Sequence, residues 1–97
     1  MSVKQISVFI ENKKSKLAQA TRFIADHQIN LKALSIADTQ DFGILRIICD
    51  DPENAEKALQ DGGYITTVTD VLAAAISDTP GSLASILEVL SEADIAV

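Results

Sequence analysis

The sequence predicts an α+β sandwich with the element order β-α-β-β-α-β, followed by the opening elements of a second copy of the same unit. Three observations carry this. β-branched, partly alternating segments lie at 3–10, 31–38, 42–50 and 64–69, and stretches of helical spacing lie between them. The apolar pattern also repeats at an offset of 66 residues.

Val3 to Ile10 places Ile6, Val8 and Ile10 on one face, the pattern of a half-buried strand. Asn12 to Lys16 is polar and reads as a loop. From about Ser15 to about Gln28, Leu17, Ala20, Phe23, Ile24 and His27 recur at helical spacing. Leu31–Asp38 and Phe42–Asp50 are two further strands around a turn at Thr39-Gln40-Asp41. Asp51 is an N-cap, and Pro52 suits the first helical turn. Ala55, Ala58 and Leu59 form the stripe of that helix, which Gly62-Gly63 ends. Tyr64 to Thr69 is the fourth strand. This order is the split βαβ arrangement of a ferredoxin-like sandwich.

The second unit is expected to open with a strand at Val71–Ile76, a loop at Ser77-Asp78-Thr79 and a helix beginning at Pro80. Leu83, Ile86, Leu87 and Leu90 are its stripe. Residues 8–31 align with 74–97 through Ile10/Ile76, Leu17/Leu83, Ala18/Ala84 and Ile29/Ile95, and the apolar register agrees at further positions. The expected division is therefore a complete unit over 1–69 and a partial one over 70–97. The neighbours that would flank a first strand are missing from the second unit. Its strand edges and Leu/Ile stripe imply a dimer or higher oligomer, or a chain shortened relative to its relatives.

Composition narrows the function classes. The 97 residues hold 8 Lys+Arg and 14 Asp+Glu, a net charge of −6. All eight basic residues lie at or before Lys57, while 70–97 carry five acids and no base. Neither part has the basic footprint of a nucleic-acid binder, and Phe9 and Phe42 are expected to be poorly placed for stacking on bases. One cysteine, Cys49, excludes a disulfide framework or a CxxC site and reads as a small buried hydrophobe. A lone His27 lacks the partners of a metal site or triad and reads as packing. The longest apolar run, Val71–Ile76, is too short to span a bilayer, and the N-terminus has no signal-peptide h-region. A soluble cytoplasmic protein without cofactor or metal is expected. Asp41-Phe42-Gly43 is a turn entering a strand, since the other kinase motifs are missing. Nothing in the sequence makes a case for catalysis.

Ile6 to Asn12, Leu17-Ala18, Ile29-Asn30-Leu31, Leu34 to Asp38 and Asp41 to Arg46 together resemble the ACT domain, a small regulatory ligand-binding module. Asp78-Thr79-Pro80-Gly81-Ser82-Leu83-Ala84 and Ala93-Asp94-Ile95 carry the same likeness in the second unit. The whole chain is similar to small proteins built from two such domains in tandem. The resemblance implies an amino acid bound between units, near the loop joining the first strand to the first helix. The residues it singles out are Asn12 and Asn30 in the first unit and Asp78, Thr79 and Gly81 in the second. A helix N-terminus suits a carboxylate, Gly81 has no Cβ to block approach, and Asp78 suits an ammonium group. At the offset of 66, Lys14-Ser15 stands where the second unit has Pro80-Gly81, and Ala96 stands where the first has Asn30. The same Asp78–Gly81 segment also reads simply as a helix start, with Thr79 as cap and Pro80 at the first position.

The expected function is thus a non-enzymatic regulatory module that binds a small amino acid or related carboxylate at an inter-repeat or inter-subunit cleft. The alternative is a ligand-free assembly module acting through sheet-edge pairing.

Overall fold

The computed structural model describes residues 2–97. Strand β1 (Ser2–Glu11) leads into helix α1 (Lys16–Asp26), and strands β2 (Leu31–Asp38) and β3 (Phe42–Cys49) follow as a hairpin. Helix α2 (Pro52–Asp61) and strand β4 (Ile65–Leu72) complete the β-α-β-β-α-β order, and helix α3 (Ser82–Glu92) comes after it. The four strands form one sheet in the order β2-β3-β1-β4, with every neighbouring pair antiparallel.

Alternation along the strands decides what is buried. Ile6 pairs with Ile47 and Val8 with Leu45, so these side chains share the face that α1 and α2 cover. They form one core with Ile10, Cys49, Ala20 and Ile24 of α1, and Ala55 and Leu59 of α2. The ends of α2 are fixed locally. The Asp51 carboxylate accepts from the Asn54 N–H at 3.3 Å, satisfying a donor the helix leaves free, and Pro52 follows it. Gly62 closes the helix where the Phe23 ring lies so near that a Cβ would overlap it. Phe23 in turn stacks on His27, with centroids 4.0 Å apart, and tilts against Tyr64. His27 is therefore a packing residue, as its isolation in the sequence implies. Cys49 is buried, and that burial pushes its thiol above its ordinary pKa.

Three expectations need correcting. No separate strand forms over Val71–Ile76. β4 runs unbroken to Leu72, because Val71 and Leu72 pair with Val3 and Ser2, and 73–77 carry no strand. The break expected at Asp70 is bridged across strands instead: Asp70 sits opposite Lys4, and their charges meet at 2.7 Å. Nor does Pro80 open the last helix, which starts at Ser82. Gly81 occupies the cap position at φ 91°, a left-handed turn that sets Pro80 outside the helix. Finally, Phe9 and Phe42 both lie on the sheet face without helices. Phe9 alternates with the inward Val8 and Ile10, and Phe42 pairs with Glu11 on the same outer side. The case against nucleic acid then rests on charge alone.

Backbone features around the first and last helices recur 66 residues apart. α1 and α3 cover equivalent residues, 16–26 and 82–92. Ser15 and Gly81 both precede them in left-handed conformations, φ 71° and 91°. Gln28 and Asp94 both follow at positive φ, 57° and 60°. The closing hydrogen bonds also match: Ile29 N–H donates to the Ile24 carbonyl, and Ile95 N–H to that of Leu90. What differs is burial. Ala20 and Ile24 of α1 are in the core, whereas α3 has no buried residue.

Candidate functional site

The residues singled out in the sequence fall in three places. Asn12 follows β1 at the end of the sheet where the β2–β3 turn and the start of β4 also lie. Its backbone N–H donates to the Asp41 carbonyl at 2.9 Å. Its side-chain amide donates to the carbonyls of Thr39 and Gln40 at 3.2 and 3.3 Å. Asn12 thereby ties the loop after β1 to the hairpin turn, and its amide hydrogens are committed to that role.

Beside this tie is an open cavity of about 710 Å³. Phe9, Phe42 and Tyr64 supply its apolar walls, and Lys13, Lys16 and Gln19 a polar rim. Lys13 meets Glu11 at 2.9 Å, and this hydrogen bond and charge hold the Glu11 carboxyl below its ordinary pKa, with Lys16 adding to the effect. Sequence reasoning missed Gln19 and Tyr64 as neighbours of Asn12: Gln19 lies on α1 and Tyr64 just before β4, and the topology brings them to the same cavity.

Asn30 lies at the opposite end of the sheet, just before β2. Its amide donates to the Asp50 carboxylate at 2.9 Å, and Lys32 approaches the other Asp50 oxygen at 3.4 Å. The Asn30 bond, followed by Lys32, holds Asp50 below the ordinary carboxylate pKa. Asn12 and Asn30 of one unit therefore do not converge on one ligand.

Thr79 and Gly81 stand with Asp78 in the turn before α3. The Thr79 hydroxyl lies 2.7 Å from that of Ser82 and 3.0 Å from that of Ser77, and the Ser77 and Ser82 hydroxyls are 2.7 Å apart. The Thr79 carbonyl accepts from the Ser82 N–H, so Thr79 supports the turn rather than capping the helix with its side chain. A Cβ built on Gly81 meets nothing within 4 Å, which leaves the approach to this helix start open. Ser77 and Ser82 were not anticipated, although the clustering of Ser, Asp and Thr over 77–82 is visible in the sequence.

Among the described residues, no cluster of three or more His, Cys, Asp or Glu is placed to hold a metal ion. No helix there is long and apolar enough to cross a membrane.

Comparison with known proteins gives one family and one fold. A family model described as "ACT domain pair" matches residues 1–97. Protein BT0572 from Bacteroides thetaiotaomicron is similar over 96% of this chain, with 45% identity and a TM-score of 0.90. This chain spans 65% of that protein's length. The regulatory subunit of aspartate kinase from Thermus thermophilus, in its ligand-free form, shares the fold at a TM-score of 0.70. Identity to it is 12%, over 94% of this chain and 70% of that one. The ACT domain of GTP pyrophosphokinase from Chlorobium tepidum matches at a TM-score of 0.52 and 12% identity, over 80% of this chain and 96% of that one. A comparison with curated proteins found no match.

Proposed function

The chain belongs to the ACT domain family, and from that premise we propose that it is a non-enzymatic regulatory module binding a small amino acid or related carboxylate. The observation that carries this reading is the duplicated turn. Lys13–Ser15 and Thr79–Gly81 start their helices with the same backbone, and only the second places a glycine at the left-handed position. There the first N–H groups of α3 and the positive end of its dipole suit a carboxylate. Asp78 suits the ammonium group, and Thr79 provides a hydroxyl.

On the first unit, Asn12 holds its loop in place beside the 710 Å³ cavity, and Asn30 contributes at the far end. These two ends would serve separate clefts, each completed by another unit. The division into a complete unit over 1–69 and a partial one over 70–97 belongs to the same proposal, as do a cytoplasmic location and self-association through sheet edges. The similarity to a regulatory subunit of aspartate kinase supports the regulatory reading. Ligand binding would act by favouring one assembly over another, since only a difference in affinity shifts an equilibrium.

Thermal unfolding in the presence of each of the twenty amino acids tests this. A ligand at about 100 times its Kd adds about 2.7 kcal/mol of stability, read as a raised Tm for one amino acid and not for its relatives. No shift with any of them would favour a ligand-free assembly module. The bare apolar face of α3 is the observation on that side.

A further inference from the structure

Cross-strand pairing sorts the sheet face without helices into rows. Ser35 stands opposite Arg46, Arg46 opposite Ser7, and Ser7 opposite Thr67. A row of hydroxyls around one guanidinium therefore crosses all four strands. Ser7 alternates with the buried Ile6 and Val8, which places the whole row on the outer side. The next row, about 7 Å along the strands, is apolar and consists of Ala37, Ile44, Phe9 and Ile65. Phe42 follows it on β3.

The groups on this face are without partners. Among the described residues, the Arg46 guanidinium meets no carboxylate, and the Ser7, Ser35 and Thr67 side chains form no hydrogen bond. Ser7 is only 9% exposed, sunk between its larger neighbours, so the row is a recess with a cation in its wall. Phe9 and Phe42 are 38% and 57% exposed, and neither stacks on another described ring. With Ala37 and Ile44 they wall a hollow of about 310 Å³, and Asp38 and Thr39 stand at its edge.

Exposed aromatics on the central strands of a four-stranded sheet form a stacking platform for nucleobases. A strand of nucleic acid also needs cations for several successive phosphates. Arg46 is the only base at the outward strand positions among the described residues, and the chain carries a net charge of −6. One cation beside one aromatic hollow matches one base and one phosphate.

We propose that the open face of the sheet binds a purine nucleoside monophosphate. The base enters the hollow against Phe9 and Phe42, where Asp38 at the edge suits an exocyclic amine of the purine. The ribose crosses to the neighbouring row. There the phosphate takes the Arg46 guanidinium, whose planar fork matches two phosphate oxygens, with the Ser7, Ser35 and Thr67 hydroxyls as further donors. Asn30, Asp78, Thr79 and Gly81 take no part, so this site stands or falls separately from the amino-acid reading.

Calorimetric titration with AMP and GMP up to about 10 mM tests it, on the native chain and on Arg46→Gln, Phe9→Leu and Arg22→Gln. Arg22 lies exposed on α1, so its substitution removes the same charge away from this face. The native chain should bind at least one of the two nucleotides with a Kd below about 1 mM. Arg46→Gln should weaken that nucleotide by about tenfold or more and leave its nucleoside unchanged. Phe9→Leu should weaken nucleotide and nucleoside alike, by about fivefold or more, and Arg22→Gln should weaken neither. Absence of binding to the native chain would overturn the site. Equal losses in Arg46→Gln and Arg22→Gln would also overturn it, since overall charge would then hold the phosphate. A short oligoadenylate bound about a hundredfold more tightly than AMP would replace the mononucleotide with single-stranded nucleic acid.

Discussion

Helices α1 and α3 have the same length, the same left-handed residue before them and the same reversal after them, yet opposite fates. α1 buries Ala20 and Ile24 in a closed core, and α3, with Ile86 and Leu90 at the equivalent positions, buries nothing. The conformation of each helix follows from its local sequence. Burial follows from what stands opposite, and for α1 this is β1, β3 and α2, contributed by residues up to 61. An apolar face is thus half of a contact. Its other half for α3 is either another unit or another molecule.

Paired substitutions at equivalent positions put the largest strain on this contrast. Ile24→Ala should cost about 2–4 kcal/mol, the range for a buried aliphatic residue cut back to alanine. Leu90→Ala, in dilute protein, should change the first unit's stability by no more than about 0.5 kcal/mol. Urea unfolding followed by circular dichroism reads both, and similar costs would mean that α3 belongs to the same cooperative core. Gly62→Ala comes next. Its new methyl meets the Phe23 ring and must displace it from His27 and Tyr64, at about 1–3 kcal/mol. Removing the cap of α2 with Asp51→Ala should lower stability by about 1 kcal/mol, measurable in the same titration.

A smaller effect separates the two helix starts. Ser15 holds a left-handed conformation that disfavours a Cβ, so Ser15→Gly should stabilise by about 0.5 kcal/mol once the added freedom of the unfolded chain is subtracted. The reverse change at Gly81 should leave the first unit's unfolding midpoint where it is. The smallest effect is electrostatic. The Asp50 carboxyl is held below its ordinary pKa, so its contribution is present above the unfolded value, near pH 4, and is lost as the pH falls through the lower folded value. Asp50→Asn should therefore narrow the difference in stability between pH 7 and pH 3, compared by urea midpoints.

Much of the first unit is legible in its residues. Ile6, Val8 and Ile10 declare the buried face of β1, and Asp51-Pro52 announces the start of α2. The extent of β4 was not legible, because pairing of Val71 and Leu72 with Val3 and Ser2 is a matter of register between distant segments. The outer position of Phe9 follows from the same alternation that buries Val8, so that error was one of inference and not of signal. At the candidate sites, residue types were visible and distances were not. Asn12 and Asn30 both flank strands, but only the strand directions show that they lie at opposite ends of the sheet. The helix start at Gly81 is different. There the sequence reads Pro80 as the first helical position, whereas the backbone starts the helix at Ser82 and sets Gly81 before it in a left-handed conformation.

Hydrogen exchange resolved by residue, at about 1 µM and about 100 µM, tests most directly the proposal that the β1–β4 sandwich is self-sufficient and that self-association is what would protect α3. An isolated helix of 11 residues is marginal in water, so its amides exchange fast unless packing protects them. The account predicts slow exchange in β1, β3 and α1 at both concentrations, and slowing in α3 and the edge strands only at the higher one. Protection of α3 that is the same at both concentrations would contradict it.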